Sequence, residues 1–161
     1  MIKLYTSYYA NIKNIPATYL MVGISRTCPE WLKENTSDNF LWTPNNILAP
    51  PASLLSDIKS GKIDQNQYTE RYKEHIHYIF SHNRDFRDVQ DWYEKMNDEF
   101  EDKYDAVVFL CYEKPTDFCH RHILREILNY EYRIRCDELN YKEETEETKK
   151  RNVSAKSNAL F

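Results

Sequence analysis

The sequence predicts an α/β fold in which a mostly parallel sheet is flanked by helices. The first observation is the stretch from Ala106 to Leu128, which has the pattern of a strand, a short polar turn and a helix. Its strand, residues 107–111, is a continuous apolar run with β-branched members, typical of a strand buried on both faces. The second observation is a pair of further strand-like segments near the N-terminus, at residues 2–6 and 18–25.

The remaining elements follow from local patterns along the chain. Residues 27–46 are polar apart from their aromatic side chains, and they predict one helical turn near Trp31 within a long loop. Gly61 closes one predicted helix, and Asp64 caps the next. Residues 132–139 alternate and suit either an edge strand, which we prefer, or a continued helix. The helices are predicted at residues 52–59, 65–81, 86–102 and about 117–128.

Composition sets the class of protein. At 161 residues we expect a single domain at 1–140, followed by a charged, flexible tail at 141–161. The net charge of -4 makes nucleic acid an unfavoured partner, although a local basic cleft stays open. With only two glycines, the chain cannot form a glycine-rich phosphate-binding loop. No apolar run reaches the roughly 18 residues that a membrane-spanning helix needs. With four unpaired cysteines and no export signal, we expect reduced thiols in a cytoplasm.

The turn after the central strand holds most of the candidate site residues. Thr116 or Asp117 is predicted to cap the following helix, where free N–H groups favour an anion. The helical spacing directs His120 toward the sheet edge and puts Arg121 at the flank of the apolar stripe. The candidates in this segment are Cys111, Glu113, Asp117, Cys119, His120 and Arg121.

Polar residues also follow the two N-terminal strands. In an open parallel sheet, ligands bind outside the carboxyl ends of the strands. The polar sets should therefore converge on one pocket, provided that the strands are parallel. The added candidates are Ser7 and Asn11 after the first strand, and Ser25 and Arg26 after the second.

Known motifs match this segment poorly. Seven residues separate Cys111 from Cys119, whereas paired zinc ligands usually lie two to four apart, so we predict no metal and no cofactor. A zinc site that also uses Cys28 is a minor alternative. Cys119 and Arg125 have phosphatase-loop spacing, but the residues between them are helical and lack glycine. Adjacent helical residues diverge by about 100°, so Cys111 suits a dyad with His120 better than Cys119 does.

Four segments resemble the domain of unknown function 488 (DUF488) family across residues 3–139. They are LYTSYYANIK, VGISRTCPEW, ILAPPASLLSDIKSGKIDQNQYTERY and, most specifically, VVFLCYEKPTDFCHRHILREIL. The resemblance implies a Rossmann-like three-layer domain of bacteria or phages, with Cys-Glu and Cys-His-Arg elements facing one pocket. Many members carry Asp-Val-Arg where this chain has Ile24-Ser25-Arg26, so an acid is missing there. The matching positions are Ser7, Arg26, Cys111, Glu113, Cys119, His120 and Arg121.

Two classes of function remain open. The first is an enzyme that acts on a small anionic, nucleotide-like or base-like ligand. Arg26 and Arg121 would bind the anion, Glu113 or His120 would transfer protons, and a cysteine would be the nucleophile. The second is a non-catalytic module that senses such a ligand or docks a protein partner through the aromatic loop at 27–46.

Overall fold

The computed structural model describes residues 1–34, 37–139 and 160–161. Five parallel strands form one sheet in the order β3-β2-β4-β1-β5. The strands are β1 (Lys3–Tyr8), β2 (Tyr19–Gly23), β3 (Phe40–Leu41), β4 (Ala106–Cys111) and β5 (Cys136–Glu138). The all-parallel sheet and its flanking helices confirm the predicted α/β fold class.

Within the described residues, five α-helices accompany the sheet, together with a 3-10 helix at Tyr9–Asn14 and a π-helical turn at Ile127–Glu131. Gly61 has a φ of 75° and closes α2, and Asp64 forms a capping box with Gln67 on α3, as predicted. The α-helices are α1 (Glu30–Lys33), α2 (Ala52–Lys59), α3 (Gln65–His82), α4 (Val89–Phe100) and α5 (His120–Glu126).

Three local predictions need correction. The N-cap position of α5 is Cys119, not Thr116 or Asp117, because the helix begins only at His120; the Cys119 side chain makes no capping hydrogen bond. The preferred edge strand forms, but only over residues 136–138, since the helix continues through its π-helical turn to Glu131. A two-residue strand, β3, lies inside the predicted long loop and pairs with β2.

The alternation of β4 assigns its side chains to two cores. Val107, Phe109 and Cys111 face the larger core, with residues from α2, α3, α4 and α5. Val108 and Leu110 face a smaller core built with the 3-10 helix and α1. Both faces of β4 are therefore covered, which explains its unbroken apolar sequence.

The last two residues lie against the larger core. The Phe161 ring stacks at 5.9 Å on Phe100, and the Trp92 indole N–H donates to the Leu160 carbonyl at 3.0 Å. The rest of the predicted tail, residues 141–159, lies outside the described residues. No helix in the described parts of the chain is long and apolar enough to cross a membrane.

Candidate functional site

The site begins where neighbouring strands β1 and β4 end. Tyr8, the last residue of β1, is in register with Cys111, the last residue of β4. After β1 the chain turns to the smaller core through Tyr9, whereas after β4 it turns to the larger core through α5. Connections that leave adjacent parallel strands toward opposite faces open a crevice, which is the usual ligand position in such sheets.

Cys111 is the centre of the cluster at this crevice. It is fully buried and joined to Cys119 by a disulfide, with their Cα atoms 7.7 Å apart. Its sulfur lies 3.1 Å from Arg121 Nη1 and 3.4 Å from Glu113 Oε2. The expectation of four reduced thiols is therefore wrong for this pair, because the turn brings together residues that are distant in sequence. Cys28 and Cys136 are free.

His120, the first residue of α5, lies over the end of β2. Its Nε2 is 2.8 Å from the Ile24 carbonyl, an acceptor, so Nε2 carries the hydrogen and donates it. Nδ1 therefore faces the Cys119 sulfur with its lone pair, at 3.9 Å. Burial lowers the His120 pKa to about 4, so the ring is neutral at pH 7. The ring edge is also packed against Tyr72, with centroids 5.5 Å apart.

Arg121, predicted at the flank of the apolar stripe, is fully buried. Its Nη2 donates to Glu138 at 3.0 Å, and its Nη1 donates to the Glu113 carbonyl at 2.6 Å. The guanidinium thus ties α5 to β5 and to the turn after β4. Arg121 has no exposed surface, and all of these polar contacts are within the protein.

Glu138 is the main site residue that sequence reasoning missed. It lies 17 residues beyond Arg121, on the edge strand β5, and it also accepts a hydrogen bond from the Thr6 hydroxyl at 2.5 Å. The alternation of polar and apolar residues at 132–139 predicts a strand, but it does not indicate what that strand pairs with. Glu138 lies against Arg121 because β5 pairs with β1.

Three predicted polar residues lie in two hydrogen-bonded groups away from the disulfide, one formed by Ser7 and Asn11 and the other by Ser25. Asn11 Nδ2 donates to Ser7 Oγ at 2.8 Å, and Ser25 Oγ donates to the Thr27 carbonyl at 2.6 Å. Tyr9, which was not a candidate, shares a 2.5 Å hydrogen bond with Ser25. Burial raises the pKa of Tyr9, so its hydroxyl stays protonated. None of these hydrogen bonds involves Cys111, Cys119 or His120.

Exposed polar groups surround the mouth of the crevice. Arg26, Glu113 and Asp117 are all exposed, as is the neighbouring Lys114. Tyr112 joins the two sides of the mouth, because its hydroxyl lies 3.1 Å from the Thr27 carbonyl while its ring meets Tyr9 edge-on at 5.0 Å. The crevice thus has a buried sulfur centre and a charged rim.

The aromatic loop at 27–46 turns much of its apolar surface inward. Phe40 and Trp42 pack against the smaller core, and the Trp42 indole N–H donates to the Ser25 carbonyl at 3.0 Å. Trp31 is different, with 58% of its surface exposed. One aromatic side chain of the loop is therefore presented to solvent, and the other two support the fold.

A protein-family model described as "DUF488-N3a: Active DUF488-N3 subclade" matches residues 5–132. The match includes β1, β4 and α5, and with them every residue of the disulfide, His120 and Arg121 cluster; Glu138 lies beyond it. Neither the curated proteins nor the solved structures gave a match to the chain.

Proposed function

The chain belongs to the DUF488-N3a family, and from this premise we propose that it is an enzyme that acts on a small anionic, nucleotide-like or base-like molecule. The family model calls its subclade active, and this favours an enzyme over a non-catalytic relative. The proposed site is the crevice between the ends of β1 and β4.

One observation carries the proposal. Cys111, Cys119 and His120 are buried at the carboxyl edge of a parallel sheet, with Arg121 Nη1 only 3.1 Å from the Cys111 sulfur. A buried thiol in apolar surroundings is inert, whereas a cation beside it favours the reactive thiolate. In the reduced form of Cys111 this contact favours the thiolate, although the same guanidinium is also paired with Glu138.

Reactivity requires the reduced form of the cysteine pair, since the thiolate is the reacting species. This requirement fits a cytoplasmic enzyme, where thiols are kept reduced. Arg121 then acts as a positioning residue. It stabilises the Cys111 thiolate and, through the Glu113 carbonyl, fixes the turn that carries the Glu113 carboxylate.

Glu113 is the better proton-transfer group of the two candidates. Its side chain is exposed at the mouth and lies 3.4 Å from the Cys111 sulfur. His120 has its Nε2 occupied by the Ile24 carbonyl and a pKa near 4, so it is a poor acid at neutral pH. We assign proton transfer to Glu113 and a supporting role to His120.

The proposed anion contact is an exposed arginine. Arg121 is paired with Glu138, so we assign the contact to Arg26, which is exposed and follows β2 in the chain. The aromatic loop gives the non-catalytic alternative little support, because Phe40 and Trp42 pack inward.

Native mass spectrometry of the chain, purified gently under reductant and then denatured, tests ligand binding. We expect a released nucleotide-like anion, retained by the wild type and by a Lys59→Ala control on α2, and lost on Arg26→Ala. Equal retention by Arg26→Ala and the wild type would contradict the assigned anion contact. A wild-type mass without any small molecule would count against a tightly bound nucleotide.

A further inference from the structure

We propose that Cys111, Cys119 and His120 bind one zinc ion when the cysteine pair is reduced. One ligand atom from each of these residues lies within 4.8 Å of the other two, and all three residues are buried. Two thiolates and one imidazole are preferred zinc ligands, and three protein ligands leave the fourth position open, as in catalytic zinc sites.

The orientation of His120 suits a ligand. Its Nε2–H donates to the Ile24 carbonyl at 2.8 Å, which leaves the Nδ1 lone pair directed at the Cys119 sulfur, 3.9 Å away. Metal-bound histidines almost always donate their other ring N–H to a carbonyl, a carboxylate or water. The edge contact with Tyr72 holds the ring in this plane. The imidazole is therefore already arranged for coordination through Nδ1.

The backbone spacing of the cysteines leaves room for an ion between their sulfurs once the pair is reduced. The Cα atoms of Cys111 and Cys119 are 7.7 Å apart, beyond the roughly 4.4–6.8 Å that disulfides usually span. Two zinc–sulfur bonds of about 2.3 Å at a tetrahedral angle hold their sulfurs about 3.8 Å apart. A sulfur–sulfur separation of this size is compatible with Cα atoms that lie 7.7 Å apart.

Charge around the cluster is also balanced for zinc. Two thiolates neutralise a divalent ion, and the Arg121 guanidinium beside Cys111 is neutralised by Glu138 at 3.0 Å. The contact of Arg121 Nη1 with the Cys111 sulfur then serves as the outer-shell hydrogen bond that orients a thiolate ligand. Outside the described cluster, Cys28 belongs to the smaller core on the other face.

Zinc would change the role of Cys111 from attacking atom to ligand. A water on the open position would have its pKa lowered to about 7, and its proton would pass to the Glu113 carboxylate, which lies 3.4 Å from the Cys111 sulfur. This catalytic use rests on the proposed function, whereas the binding of zinc does not.

The test measures metal on the full chain, without any substrate. The protein is purified under a phosphine reductant without chelators, and zinc per chain is measured by elemental mass spectrometry. The zinc is then removed and cobalt(II) is titrated in. The variants are Cys119→Ser and His120→Ala, with Cys28→Ser and His82→Ala as matched controls, and far-UV circular dichroism checks that each is folded.

We expect about one zinc per chain in the wild type and both controls, sulfur-to-cobalt charge-transfer absorption on titration, and at least about tenfold weaker binding in both site variants. The proposal is overturned if the reduced wild type gives no such absorption. It is also overturned if Cys28→Ser loses metal as Cys119→Ser does. Because reconstitution uses the wild type, misfolded variants cannot hide a failure. Zinc binding without nucleotide retention would count against a tightly bound nucleotide and support this site; nucleotide retention without zinc would refute only this site.

Discussion

Removing the negative charge of Glu138 should destabilise the fold more than any other single-atom exchange on β5. Glu138→Gln preserves the shape of the side chain but leaves the Arg121 guanidinium, which is 0% exposed, without its counter-charge. Breaking a buried ion pair from one side costs about 3–5 kcal/mol, because the remaining charge stays desolvated.

The structure sets the expected size near the lower end of that range. The Glu138 side chain is 18% exposed, so water can partly replace the lost charge. We therefore expect the free energy of unfolding to fall by about 3 kcal/mol. For a chain of this length, about 2–4 °C per kcal/mol converts this loss to a melting temperature lowered by roughly 6–12 °C.

Urea unfolding followed by circular dichroism measures this loss, and the neighbouring residue supplies the control. Asp137 pairs with Arg135, whose side chain is 87% exposed, so Asp137→Asn should cost less than about 1 kcal/mol. In an Arg121→Met background, Glu138→Gln should also cost less than about 1 kcal/mol, since no buried cation remains. The reasoning is refuted if Glu138→Gln and Asp137→Asn lower stability equally.

Three other changes probe the supports of the site. A Cβ on Gly23 would lie 2.6 Å from the Tyr9 hydroxyl, so Gly23→Ala should lower the free energy of unfolding in urea by about 1–3 kcal/mol. Adding Tyr9→Phe should recover part of this loss, and fully additive losses in the double variant would contradict the assignment. Phe161→Ala should cost about 3 kcal/mol, since Phe161 is 6% exposed and stacks on Phe100; a change under about 0.5 kcal/mol would show that this contact does not form. The backbone N–H of Arg87 holds the Asp91 pKa at about 2, below its ordinary 3.8. This carboxylate therefore stabilises the fold above about pH 4 and loses that effect as the pH falls to about 2, so Asp91→Asn should weaken the pH dependence of stability in this window; an unchanged dependence would refute the assignment.

Local sequence patterns predict most of the helices and strands, because burial and helix capping each require particular residue types at nearby positions. The unbroken apolar run of β4 predicts a strand covered on both faces, and the two cores on either side of it confirm this. The Asp64 capping box and the positive φ of Gly61 are likewise set by neighbouring residues. Non-local features escaped prediction: β3 forms only because β2 is available to pair with it.

The candidate site likewise has residues that local sequence groups together and contacts that depend on non-local strand pairing. Cys111, Glu113, Cys119, His120 and Arg121 lie within one strand, turn and helix, so the sequence already groups them. The pairing of Arg121 with Glu138 depends on β5 lying beside β1, which spacing cannot indicate. The hydrogen bonds that Ser7 and Ser25 make, to Asn11 and to the Thr27 carbonyl, depend on how the chain turns after β1 and β2, which the strand pattern does not indicate.

The central claim, that Cys111 and Glu113 form a reaction centre, is tested most directly by turnover. The reduced, zinc-supplemented chain is incubated with a bacterial small-molecule extract, and untargeted mass spectrometry follows every anionic component. We expect at least one nucleotide-like or base-like molecule to be consumed by the wild type and by Cys28→Ser, but not by Cys111→Ser or Glu113→Gln. If the extract is changed equally by the wild type and Glu113→Gln, or by neither, the claim is contradicted.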